Sequence, residues 1–240
     1  METFSIPMAL EDYVPVILTG FALFILARMI ARMDRACGPM AFLGAALIVA
    51  GGLSKATWKL IMATSEGQNN FGVLDDALFL LLAPGFIFFG FALAYAQRGS
   101  YVGKRPKNIW LAPVILVALT MGVVVLMSSL LYDPERERQT WYFIVLGMTT
   151  VFNVIVAGLC IWQARREKVM LAAGFFLLNI ILVFVLQGMA RAASESVGLQ
   201  WGAQIVNTLS NAALLFASWK LAQVTVAGLA KRSEPQLAAA

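Results

Sequence analysis

The recurrence of apolar windows about 20 residues long, each able to cross a hydrocarbon layer of roughly 30 Å, limits the fold more than any other feature of this chain. Seven such windows occupy residues 14–30, 40–62, 77–96, 110–131, 141–163, 169–190 and 201–221 or slightly beyond. Backbone polar groups in lipid must be satisfied within the segment, so each window is expected to be an α-helix. The expected fold class is all-α: a polytopic membrane protein whose single seven-helix transmembrane domain covers residues 1–230, with a short cytoplasmic tail at 231–240. Composition agrees, with 60% hydrophobic and only 13% charged residues, against roughly 25% charged in a soluble domain. Trp110, Trp141 and Trp201 each open a window, where an amphipathic ring suits the headgroup layer.

Charge fixes the expected orientation. Thirteen of the eighteen Lys and Arg residues flank or follow the first, third, fifth and seventh windows, including Arg28, Arg32, Arg35, Arg98, Lys104, Arg165, Arg166 and Lys220. The opposite connections hold ten of the thirteen acidic residues. The positive-inside rule then puts the N-terminus outside and the C-terminus in the cytoplasm, with a bacterial inner (cytoplasmic) membrane as the expected location. The first dozen residues carry Glu2, Glu11 and Asp12 but no Lys or Arg, so the first span itself is expected to direct insertion. The net charge of +5 follows from this topology; the basic residues form no continuous surface, and no nucleic-acid partner is expected.

Several chemistries are excluded at the outset. The chain has no histidine, which removes His-based triads, haem ligation through His and His-containing zinc sites. Its two cysteines, Cys37 and Cys160, are far apart and read as packing residues. There is no Gly-rich phosphate loop, no GxSxG elbow and no CxxC. Neither enzymatic activity nor a metal or other cofactor is expected.

The candidate site is built from polar groups at membrane depth, each of which must face the bundle interior, a partner or water. In the second span Lys55 and Lys59 are four residues apart and share a helix face with Ser54 and Thr57 nearby. Asp75 or Asp76, at the start of the third span, and Glu195, in the last outer connection, are the expected partners. Gln187 and Arg191 in the sixth span and Gln204, Asn207 and Asn211 in the seventh complete a polar set biased toward the outer half. Together they predict a ligand-binding pocket open to that side. Pro84-Gly85 inside the third span predicts a kink, and Gly51-Gly52 in the second a close helix approach. GFALFILAR at 20–28, GFALAYAQR at 90–98 and the Gly158 to Arg166 spacing hint at a repeat among the first, third and fifth spans. A repeat of that kind would give a 3+1+3 arrangement such as SWEET-type sugar carriers use, although the Pro-Gln dipeptides of that family are missing.

Seven spans, an external N-terminus and Lys220 in the last span resemble the rhodopsins in topology. The resemblance stops at the residues that hold retinal: Phe216 stands four residues before Lys220 where microbial rhodopsins carry Asp, and the outer half of the third span has no Arg. Retinal is not expected, and Lys220 is expected to snorkel to the inner surface. The leading expectation is a membrane protein that binds or transports a small molecule or ion; the alternatives are a seven-helix receptor or sensor and an accessory subunit of a membrane complex. The expected partners are the lipid bilayer, a small ligand or ion, and a membrane or cytoplasmic protein.

Overall fold

A computed structural model describes the backbone of residues 5–104, 106–131, 139–192 and 197–237, and the side chains of these except 190–192, 197 and 231–237. The chain order is α1 (Ile6–Glu11), α2 (Tyr13–Met33), α3 (Gly38–Thr64), α4 (Gly72–Val102), α5 (Leu111–Leu130), α6 (Thr140–Arg166), α7 (Met170–Ala192) and α8 (Val197–Leu237). Among the described residues every regular element is a helix, and seven stretches are long and apolar enough to span a membrane, the first combining α1 and α2. The protein is therefore an integral membrane protein of the all-α class, as its hydropathy requires.

Helix ends extend past the apolar windows. The first helical stretch begins at Ile6, not near Val14, and breaks at Asp12; Pro15 has no N–H to offer the Glu11 carbonyl, which loosens the join. At the other extreme α8 has 41 residues, about 60 Å at 1.5 Å per residue. It runs through most of the stretch expected to be a tail, and its last turns must leave the hydrocarbon layer.

The turns are closed by local chemistry. After α2, the Ala36 N–H donates to Asp34 Oδ1 at 3.0 Å, and Pro39 begins α3 where its missing N–H does no harm. After α3, Glu66 takes φ +50° and the Gly67 N–H reaches back to the Met62 carbonyl at 2.9 Å; after α6, Lys168 takes φ +59° and Val169 reaches Ala164 at 2.8 Å. Both are Schellman closures with a non-glycine residue in the left-handed position.

Packing makes a closed ring of six helices: α2 lies on α3, α3 on α4, α4 on α6, α6 on α7, α7 on α8, and α8 returns to α2. Helix α5 stands outside the ring and, among the described elements, touches only α4 and α6; Pro113, Thr120 and Val124 are its buried residues. Inside the ring α2 also touches α4, and α6 touches α8. By chain order the ring divides into two three-helix bundles, α2-α3-α4 and α6-α7-α8, which meet along an α2-α8 seam and an α4-α6 seam, both more extensive than the α2-α3 and α6-α7 contacts. Leu26, Met29, Ile30, Met40, Phe89, Leu93, Cys160, Phe176 and Leu221 form the shared core.

The tightest contact is α3 against α4. A Cβ on Gly44 would lie 2.7 Å from the Gly85 carbonyl oxygen, and one on Gly51 would lie 2.8 Å from the Leu78 carbonyl oxygen. The expected close approach is therefore made by Gly51 together with Gly44 and Gly85, next to the buried Pro84.

Candidate functional site

Polar side chains gather around α1, which packs on α2, the end of α3 and α8, and at the neighbouring contact of α3 with the start of α4, a region called here the acidic end. Lys55 on α3 forms an ion pair with Asp75 on α4, choosing the first of the two adjacent aspartates. Its ammonium also stands 4.1 Å from the centre of the Trp58 ring, and Trp58 Nε1 donates to Asn70 Oδ1 at 2.9 Å. Ser54 donates to the Leu74 carbonyl at 2.6 Å, fixing the same helix pair. Asp76, the neighbour, is half-buried on the first turns of α4.

Lys59 turns to the other side. Its ammonium lies 2.6 Å from Asp12 Oδ2, an ion pair by distance without the alignment of a hydrogen bond. Asp12 is 9% exposed, so this pair is largely withdrawn from water. Next to it Tyr13 and Thr57 share a 3.1 Å hydrogen bond, and Thr208 on α8 donates to Glu11 Oε1 at 2.5 Å. Glu11 Oε2 is buried and accepts no hydrogen bond from the described residues.

Deeper along the α2-α8 seam, Thr19 donates to Asn211 Oδ1 at 2.5 Å, and Asn211 Nδ2 donates to the side-chain and backbone oxygens of Asn207 at 3.0 and 2.9 Å. Gln204 is buried on the same helix. The remaining residues expected at the site lie apart: Gln187 is exposed and donates to Thr150 on α6 at 3.1 Å, while the Arg191 side chain and Glu195 are outside the described residues.

The structure pairs Lys55 with Asp75, Lys59 with Asp12 and Asn207 with Asn211 in separate contacts, and adds Glu11, Asp12, Tyr13, Thr19 and Thr208, which sequence reasoning missed. Among the described residues α3 and α4 do not touch α8, so the lysine pairs and the asparagines of α8 are not joined in one cluster. The Glu11-Asp12 pair just before the first span was the visible signal. The two recesses described on the surface lie at the opposite, basic end. One of these, between Met33, Tyr101, Glu167 and Thr225, has no room for a water molecule.

A second polar node occupies that basic end. Gln97 on α4 donates to Gln163 Oε1 on α6 at 2.8 Å and to the Leu159 carbonyl at 3.0 Å. The Gln163 amide donates to Thr225 on α8 at 3.0 Å and lies 3.4 and 3.7 Å from the sulfurs of Met33 and Met29 on α2. One side chain, 0% exposed, therefore contacts all three other helices that end on this side. Tyr101 Oη donates to Glu167 Oε1 at 2.6 Å and closes the α4-α6 seam one turn further out. Between α7 and α8, Asn179 donates to the Ser210 hydroxyl and carbonyl at 2.9 Å each.

Lys220 is half-buried, its ammonium 4.4 Å from the Trp219 ring centre and 6.0 Å from that of Phe216, a placement compatible with snorkelling at an aromatic belt. Among the described residues no group of three or more acidic or Cys side chains could hold a metal ion. The chain matches no protein-family model, no curated protein and no solved structure.

Proposed function

We propose that the protein is a carrier for a small polar solute or ion, which passes between its two three-helix bundles. The observation that carries this reading is the way the seams are latched. At the acidic end α8 is tied to the first span by Thr208 with Glu11 and Thr19 with Asn211; at the basic end Gln163 on α6 bonds across the α4-α6 seam to Gln97 and meets Met33 and Met29 of α2. Hydrogen bonds between membrane helices are worth about 0.6 to 2 kcal/mol each. Two latches of a few bonds each can open singly at a cost that a bound solute could offset, whereas the glycine-packed α3-α4 contact would move as one body. The unmatched oxygen of Glu11 and the charges of Lys55, Lys59, Asp12 and Asp75 give the acidic end, taken as the outer one, the means to attract an ionic or polar solute.

Thiol labelling tests the reading without a known substrate. Asn211→Cys and Gln163→Cys proteins in sealed vesicles should react with a membrane-impermeant maleimide, the first from the acidic side and the second from the basic side. A static scaffold or accessory subunit would leave both positions unreactive from both sides over hours, and that result would remove the carrier reading.

A further inference from the structure

The outer face of α6 at the basic end carries an open groove of about 480 Å³ lined by Gly158, Ile161, Trp162, Arg165 and Arg166. These five positions recur at spacings of three and four, so they form one stripe on one helix. From Gly158 to Arg166 the stripe climbs about 12 Å at 1.5 Å per residue. Its deep end is apolar and without a side chain at Gly158, and its shallow end is cationic at the last turn of the span. The groove therefore has the length and polarity of the upper part of a phospholipid.

Three details make it more than a bare helix face. Among the described residues no atom lies within 4 Å of where a Gly158 Cβ would stand, so none of them fills the depth of the groove. The Arg166 guanidinium lies 4.0 Å from the centre of the Tyr101 ring and 5.5 Å from that of Trp162, and these two rings meet edge to face at 5.5 Å. This stacking holds the planar fork in place while its edge donors stay open. The nearest acid in sequence, Glu167, accepts from Tyr101 and forms no ion pair with either arginine. Arg165 and Arg166 are both exposed, and Trp162 is 45% exposed toward the bilayer.

We propose that this groove binds one anionic phospholipid, its headgroup phosphate on the Arg165 and Arg166 guanidinium groups and an acyl chain along Ile161 and Gly158. Arginine pairs with phosphate in a bidentate manner, and basic recesses at helix ends beside the headgroup layer select anionic lipids over zwitterionic ones. The apolar half lies on the outer face of a helix apolar enough to span a membrane, where the surrounding medium is lipid, which favours a lipid over a soluble phosphate or a peptide.

Native mass spectrometry of the purified full chain, exchanged into mixed micelles of phosphatidylglycerol and phosphatidylcholine, reads the occupancy directly. The expected result is retention of one phosphatidylglycerol with at least about tenfold preference, reduced to the phosphatidylcholine level in Arg165→Ala/Arg166→Ala. Gly158→Leu, which fills the groove and leaves the charge untouched, should weaken retention as well. Arg28→Ala/Arg32→Ala, two exposed arginines at the same end of α2, should leave it unchanged, and inorganic phosphate should not displace the lipid. Equal loss in the α2 pair, full retention in Gly158→Leu, displacement by phosphate, or no preference between the lipids would each overturn the proposal. All variants are compared after confirming an unchanged elution profile and melting temperature.

Discussion

The two lysines of α3 sit one turn apart, yet each answers a different acid: Lys55 faces Asp75 on α4, and Lys59 faces Asp12 at the join of α1 and α2. Side-chain exposure of 19% for Lys59 and 11% for Asp12 places the second pair between a surface ion pair, worth at most about 1 kcal/mol, and a fully buried one, whose rupture costs about 3 to 5 kcal/mol. Asp12→Asn should thus lower stability by about 1 to 3 kcal/mol, mainly because the Lys59 ammonium loses the carboxylate that offsets its charge. Adding Lys59→Met should restore more than half of that loss, and thermal unfolding of the four proteins of the cycle measures it; strictly additive losses would mean the two side chains do not interact. A smaller effect follows from Glu66, which holds φ +50° and is exposed. Glu66→Gly removes the left-handed penalty of about 1 kcal/mol and should raise the melting temperature, whereas Glu66→Val should lower it.

Helix pairs differ in what holds them. Helix α3 meets α4 with backbone against backbone at Gly44, Gly51 and Gly85, whereas α5 leans on the ring and exposes Leu119, Val125 and Leu130. Gly44→Leu would drive a side chain into the Gly85 carbonyl and the Phe89 amide, so it should cost at least about 3 kcal/mol or prevent assembly. Gly122→Leu on α5, where nothing lies within 4 Å, should change stability by less than about 0.5 kcal/mol. Retention of the folded, monodisperse species in detergent separates the two outcomes. At this scale the sequence was readable along the helix axis and poorly readable around it. Hydropathy marks depth, so seven spans and the Lys55-Asp75 pair, two residues joined through one short connection, could be found. It does not mark azimuth: the partners Thr19 and Asn211, or Gln97 and Gln163, lie on helices remote in sequence, and only the packed ring shows that they face each other. Helix ends were missed for a related reason, since the polar last turns of α4 and α8 lower a hydropathy window without breaking a helix.

The ring as a whole couples these helices through few interior polar contacts, and Gln163 is where most of them meet. Its side chain ties α6 to α4 and α2 in the other bundle and to α8 in its own, so removing it loosens the contact between the bundles at the basic end. In Gln163→Ala the Gln97 amide keeps only its bond to the Leu159 carbonyl, and Thr225 loses its donor. With each lost bond worth about 0.6 to 2 kcal/mol, the population open at the basic end should rise on the order of tenfold or more. The chain carries its own reporters of that change. Cys160, 0% exposed, lies one turn before Gln163 within the shared core, and Cys37, equally buried in that core, immediately precedes α3, a helix that does not touch α6 among the described residues. Alkylation by N-ethylmaleimide, followed by mass spectrometry, should quicken at Cys160 and remain slow at Cys37. If both thiols quicken together, the substitution has loosened the entire bundle and Gln163 is a packing residue; if neither does, the seam does not open at that end. A rise confined to Cys160 is the outcome required of a ring whose two bundles separate at one end while the glycine-locked α3-α4 contact stays intact.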